Sequence, residues 1–259
     1  MSPISRRTAL GALAATPLLL AAPPANAVRS VLWTGDPARG TKVFDGLETD
    51  PGTIGVAADP QGKYGQCFRY DINDWANGKE RCETRGLRKP DGSVLRINNS
   101  MLGQTQYIGW RSLWQGIKPN AGLWIAVYQF HISGYEAGKP QSGPYVLRTV
   151  GDGKLHFQLT NPNGSSKHIW STNFPAMNSW NTFAIGYKIS KGNDGWTEFY
   201  FNGKLQTFSN GQTRYPGPTI WGDHVNHKWG IYRSGGNSGK ASAFLNSAKL
   251  GTTYADVAL

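Results

Sequence analysis

The chain has 259 residues, 39% hydrophobic and 17% charged, which is enough to bury a sizeable core and too apolar for a disordered segment. With 33 Gly, 15 Pro, 10 Trp, 11 Tyr and 10 Phe against 3 Met, the composition points to short strands joined by tight turns and argues against a helical bundle. A formal charge of +11 favours polyanionic partners: nucleic acid, an anionic membrane or an acidic polysaccharide.

Residues 1–27 read as a twin-arginine export signal: Ser5-Arg6-Arg7-Thr8-Ala9-Leu10 precedes an apolar run through Leu20 that ends in the small-residue cleavage pattern Ala25-Asn26-Ala27. The remaining domain spans 28–259, and losing Arg6 and Arg7 takes the charge from +11 to +9, so the basic character belongs to the domain itself. No later segment reaches about 18 consecutive apolar residues, so no membrane association is expected. There is no long basic run, no zinc-spaced Cys/His cluster and no Gly-rich phosphate loop, and an exported chain seldom meets nucleic acid. A secreted protein with an anionic polysaccharide as partner is the leading expectation.

From Trp33 onward, Gly, Pro, Asn or Asp interrupts strand-like stretches at short intervals, and no linker or repeat breaks the pattern. In chain order the strands are expected near 52–58, 63–70, 79–87, 93–98, 104–115, 123–131, 145–150, 154–160, 181–189, 197–201, 204–208, 228–233 and 253–258. Asn202-Gly203 between two of them signals a type I′ hairpin. No amphipathic helix of more than two turns is visible. The expected fold is all-β: a β-jelly-roll sandwich of two antiparallel sheets with a concave groove. If 63–70 and 79–87 pair around the Asp74-to-Gly78 loop, Cys67 and Cys82 fall opposite one another, and a disulfide suits the secreted compartment. Two buried free thiols are the alternative.

Residues two apart in a strand share a face. Arg81, Glu83 and Arg85 therefore point one way, as a solvated ladder or a ligand-facing row. In 123–131 the apolar character holds on both faces until Gln129 and His131, which share a face and suggest the end of a buried strand at a cleft. In 228–233, Lys228, Gly230 and Tyr232 share a face opposite Trp229 and Ile231, and Gly230 would leave an open groove floor. His224 and His227 are three apart but lack a third ligand, so no metal site is expected.

Arg81-Cys82-Glu83-Thr84-Arg85, Gln129-Phe130-His131 and Lys228-Trp229-Gly230-Ile231-Tyr232, in this order, resemble the β-jelly-roll polysaccharide lyases, in particular the group of glucuronan lyase (family twenty) and heparin lyase I. Gly40-Thr41-Lys42-Val43-Phe44-Asp45-Gly46-Leu47 and Gly143-Pro144-Tyr145-Val146-Leu147 are similar to the same group, and family seven alginate lyases share the three motifs. The resemblance implies β-elimination on a uronic-acid chain: the C5 proton leaves, the C4–O bond breaks and a 4,5-unsaturated sugar remains. It implies Tyr232, His131 and Gln129 as catalytic residues, and Arg81, Glu83, Arg85, Lys228 and Arg148 as substrate-binding residues. Glu83 would orient the arginines, and Lys228 would favour the Tyr232 phenolate. No cofactor is required; a structural calcium is the one metal left open, and a monomer is expected. β-1,4-Glucuronan is the first substrate expected, with alginate or a heparin-type glycan next. The competing classes are a non-catalytic carbohydrate-binding sandwich and a glycoside hydrolase, which needs a carboxylate pair of which only Glu83 is evident.

Overall fold

The structure is a computed structural model that describes residues 30–73 and 80–259; the expected export segment and the 74–78 loop lie outside the described residues. Its strands, in chain order, are β1 (Val31–Gly35), β2 (Gly46–Asp50), β3 (Thr53–Ala58), β4 (Gln66–Ile72), β5 (Glu80–Arg85), β6 (Leu87–Arg88), β7 (Val94–Leu95), β8 (Ile97–Asn98), β9 (Thr105–Gln115), β10 (Ile125–Tyr135), β11 (Tyr145–Thr149), β12 (Lys154–Thr160), β13 (Ser166–Asn173), β14 (Asn181–Lys188), β15 (Trp196–Phe201), β16 (Lys204–Leu205), β17 (Tyr215–Pro216), β18 (Gly222–Arg233) and β19 (Ala241–Gly251).

Two antiparallel sheets stack face to face. The back sheet runs β16-β15-β14-β9-β19-β4-β3 and the front sheet β13-β12-β11-β10-β18-β5-β2. Consecutive strands commonly change sheet, which is what makes the sandwich a jelly roll rather than a pair of meanders. β12 shows the cause in its sequence: Leu155, Phe157 and Leu159 alternate into the core, while His156 and Gln158 take the other face. At the centre Trp110 stacks on Tyr128 at 4.4 Å and on Phe183 at 5.4 Å, and meets Trp229 edge-on at 6.1 Å. Each large side chain buried this completely stabilises the fold by about 1.5–3 kcal/mol.

His227 lies in this core. Tyr128 Oη is 2.7 Å from its Nδ1 and Tyr187 Oη 3.2 Å from its Nε2, and burial pushes its pKa down to about 3, so the ring is neutral. His224, an odd number of residues away on the same strand, does not share that face.

Three expectations are corrected. Residues 253–258 form a helical turn (Tyr254–Val257), because Thr253 and Asp256 make a reciprocal capping box that holds the backbone away from a strand. Strands β1, β2, β13, β17 and β19 were not expected, and β19 occupies the middle of the back sheet. The Cys67–Cys82 disulfide is absent: both cysteines are free and buried. β4 and β5 do not form a hairpin but enter opposite sheets, so the register that set the two cysteines face to face does not exist. Cys82 points into the core between the sheets, whereas Cys67 sits on the other side of the back sheet with Leu113 and Phe244. Their thiols lie against the carbonyls of Thr53 (3.3 Å) and Ala57 (3.6 Å), and burial pushes their pKa values up to about 12 and about 11. The Asn202-Gly203 turn does join β15 to β16, with φ of 49° and 75°, as a type I′ hairpin requires.

Candidate active site

The site occupies the outward face of the front sheet, where β2, β5, β18, β10, β11 and β12 lie side by side. Register aligns residues from segments distant in sequence: Glu48 opposes Glu83, Glu83 opposes Gly230, and Arg81 opposes Tyr232. On the other side of β18, Lys228 opposes Gln129, Asn226 opposes His131, and Tyr232 opposes Ala126. Ala126 in turn opposes Arg148 on β11.

A cleft of about 330 Å³ is lined by Arg81, Gln129, His131, Arg148 and Tyr232, five of the residues singled out in the sequence. Gln158 and Trp124 also line it. Simple alternation from Gln129 would turn Trp124 away from the cleft. The pairing of β10 shifts register between Ala126 and Tyr128 against both neighbours, and this irregularity brings Trp124 and Ala126 to the face of Gln129 and His131. Trp124 then packs edge-on against the Tyr232 ring at 5.0 Å.

Beside the cleft lies a charge cluster. Lys228 is only 3% exposed, and its Nζ donates to both oxygens of Glu48 at 2.9 and 3.0 Å. Arg81 Nη1 donates to the same carboxylate at 3.1 Å, and Arg85 Nη1 stands 3.7 Å away. Burial raises the Glu48 pKa, but the Lys228 hydrogen bond and the charges of Lys228, Arg81 and Arg85 outweigh it and hold the group below the usual carboxylate range. Glu83 is fully buried; Gln129 Nε2 donates to it at 2.7 Å and Arg81 Nε lies 3.5 Å away. For Glu83 burial wins over these partners and pushes the pKa up to about 7. Glu83 thus holds the Gln129 amide by a hydrogen bond, while Arg81 Nε approaches it without forming one.

The cation over Tyr232 is not the one expected. Lys228 is committed to Glu48, and the Arg81 guanidinium sits 4.2 Å from the Tyr232 ring centroid. Nor is Gly230 an open floor: with φ of 138°, a Cβ there would lie 2.0 Å from the Cys82 carbonyl oxygen, so glycine is required for β18 to approach β5. His131 Nδ1 is buried with no hydrogen-bond partner among the described residues. Burial, then the Lys228 charge, push the His131 pKa down to about 4, so the imidazole is neutral and able to accept a proton.

Glu48 and Trp124 were missed by sequence reasoning. Glu48 sits in Gly46–Asp50, which lacks an apolar alternation, and Trp124 requires the register shift to be known. Among the described residues no group of three or more His, Cys, Asp or Glu side chains is arranged to hold a metal ion, and no helix is long and apolar enough to cross a membrane.

No family model and no curated protein matches the sequence. Among solved structures, the chain is similar to an endo-β-1,4-glucuronan lyase from the fungus Trichoderma reesei, with TM-score 0.61 and 14% identity over 83% of this chain and 93% of that one. It is also similar to an alginate lyase from a Chlorella virus, with TM-score 0.57 and 11% identity over 86% of this chain and all of that one. The chain thus has the β-jelly-roll fold on which these two lyases are built.

Proposed function

We propose that the protein is an exported lyase that cleaves a uronic-acid polysaccharide, β-1,4-glucuronan foremost, by β-elimination. The observation that carries this reading is the convergence of Gln129, His131, Arg81 and Tyr232 on one cleft from three strands. The fold shared with a glucuronan lyase supports it.

In this reading the substrate carboxylate is bound by the amide proton of Gln129 that Glu83 leaves free and by the Arg81 guanidinium, which makes the adjacent C5 proton more acidic. The C5–H electron pair becomes the C4=C5 double bond, the C4–O4 pair leaves with O4, and O4 takes up a proton; no water is consumed. In glucuronate the C5 proton and O4 lie on the same side of the ring, so Tyr232 can remove one proton and return it to O4. In the C5 epimers they lie on opposite sides, and the neutral His131 serves as base with Tyr232 as acid.

The test is the ultraviolet absorbance of unsaturated ends when the protein is incubated with glucuronan, alginate, heparin or pectate. Tyr232→Phe removes one oxygen and keeps the ring packed on Trp124, so stability should change by less than about 1 kcal/mol while the rate falls about 100-fold or more. A folded Tyr232→Phe protein that still makes unsaturated ends at the wild-type rate sinks the assignment. Binding of the polymer by wild-type protein without any product would identify a carbohydrate-binding module instead.

A further inference from the structure

The cations of the site are not equivalent. Lys228, Arg81 and Arg85 share the carboxylates of Glu48 and Glu83. Arg148, which also lines the cleft, is half-buried, and its Nε is buried with no hydrogen-bond partner among the described residues. No carboxylate among the described residues pairs with it; its guanidinium rests 5.7 Å from the Trp124 ring centroid. Burial alone acts on it, holding its pKa below the ordinary guanidinium value. A half-buried cation without a counter-charge carries a desolvation cost, and a ligand carboxylate in bidentate contact offsets it.

Its position says which carboxylate. Tyr232, Ala126 and Arg148 form one row across β18, β10 and β11, which at about 4.8 Å per strand sets the Arg148 backbone roughly 10 Å from that of Tyr232. The reacting unit, placed between Tyr232, Gln129 and Arg81, is served by other groups. On β12, the strand next to that of Arg148, Gln158 also lines the cleft, opposite Val146.

We propose that Arg148, with Gln158 beside it, binds the carboxylate of the sugar adjacent to the one being eliminated, so that the cleft selects runs of consecutive uronates over uronates separated by neutral sugars. This rests on the lyase reading above but is tested separately from it.

The test is calorimetric binding in the Tyr232→Phe background, so that the probe is not consumed. The probes are a saturated β-1,4-glucuronate tetramer and the same tetramer with its carboxylates reduced to alcohols. Adding Arg148→Gln should weaken binding of the acidic tetramer about tenfold or more, leave the reduced tetramer unaffected, and be partly rescued by Arg148→Lys. In protein with Tyr232 intact, the loss of kcat/KM in Arg148→Gln should be carried by KM. Equal binding of the acidic tetramer with and without Arg148 overturns the proposal. So does an equal loss on both tetramers, which would mark Arg148 as packing for Trp124, or a loss carried by kcat, which would place it on the reacting carboxylate. Absence of unsaturated product from wild-type protein would sink the lyase reading while leaving the binding comparison informative.

Discussion

Glu48 is the residue whose removal should be felt most widely in the site. It accepts two hydrogen bonds from Lys228 and one from Arg81, and its side chain is 19% exposed. Removing one partner of a buried ion pair costs about 3–5 kcal/mol, because the other charge is left uncompensated. Glu48→Gln keeps an amide oxygen that can accept from Lys228, and the group is not wholly buried, so about 3 kcal/mol is expected. For a domain of this size that corresponds to a fall in Tm of about 6–12 °C. Urea unfolding followed by circular dichroism near neutral pH measures it, with an unchanged m-value showing that the unfolded state is the same. The pH dependence has a defined sign. The folded pKa of Glu48 lies below its ordinary value of 4.5, so its contribution is present above that value and is lost as pH falls through the lower folded pKa. Wild type and Glu48→Gln should therefore converge in strong acid. Adding Lys228→Met to Glu48→Gln should recover most of the loss, because no buried charge is then stranded. A loss under about 1 kcal/mol for Glu48→Gln, or simple additivity in the double variant, would refute the account of Lys228 as a charge held by Glu48.

Three other outcomes follow from the same cluster and its surroundings. Glu83 has a folded pKa of about 7 against an ordinary 4.5, so wild type should lose on the order of 3 kcal/mol of stability as pH rises through that window, while Glu83→Gln should not show this loss. The His131 ring should titrate near pH 4 by nuclear magnetic resonance; an inflection near the ordinary histidine value of 6.5 would mean that its burial and the Lys228 charge are misassigned. Alkylation in denaturant without reductant should modify both Cys67 and Cys82, and a mass showing neither adduct would restore the disulfide.

The local parts of this architecture were legible because they depend on side-chain period. The alternation of Arg81, Glu83 and Arg85, of Gln129 and His131, and of Lys228 and Tyr232 each identified the outward face of a strand correctly. What depends on long-range pairing was not legible. β4 and β5 look like a hairpin from turn and parity alone, and only the sandwich shows that the chain crosses between sheets there. β19 is rich in Ala and Ser, yet it holds a central place because strands pair with it on both sides and Ser247 takes φ of 53° at a break in the pairing register. The Thr253…Asp256 capping signature was present in the sequence and marks the α-helical turn of Tyr254–Val257, which a strand pattern of Thr and Tyr had obscured.

The two carboxylates of the site also bear on the choice between elimination and hydrolysis. Glu48 and Glu83 face one another across adjacent strands and would be the natural pair for a glycoside hydrolase. Their environments drive their pKa values apart, a pattern that often separates an acid from a base. Neither, however, is among the residues that line the cleft. Glu83 is fully buried and accepts from Gln129, so it cannot reach a glycosidic oxygen without breaking the contact that fixes that amide. Glu48 is committed to Lys228 and Arg81, and a carboxylate held ionised by these cations is a poor proton donor. Among the side chains that line the cleft, His131 and Tyr232 are able to exchange a proton, and neither is a carboxylate. Both can serve a reaction that moves a proton from carbon to a leaving oxygen, which is the demand of β-elimination.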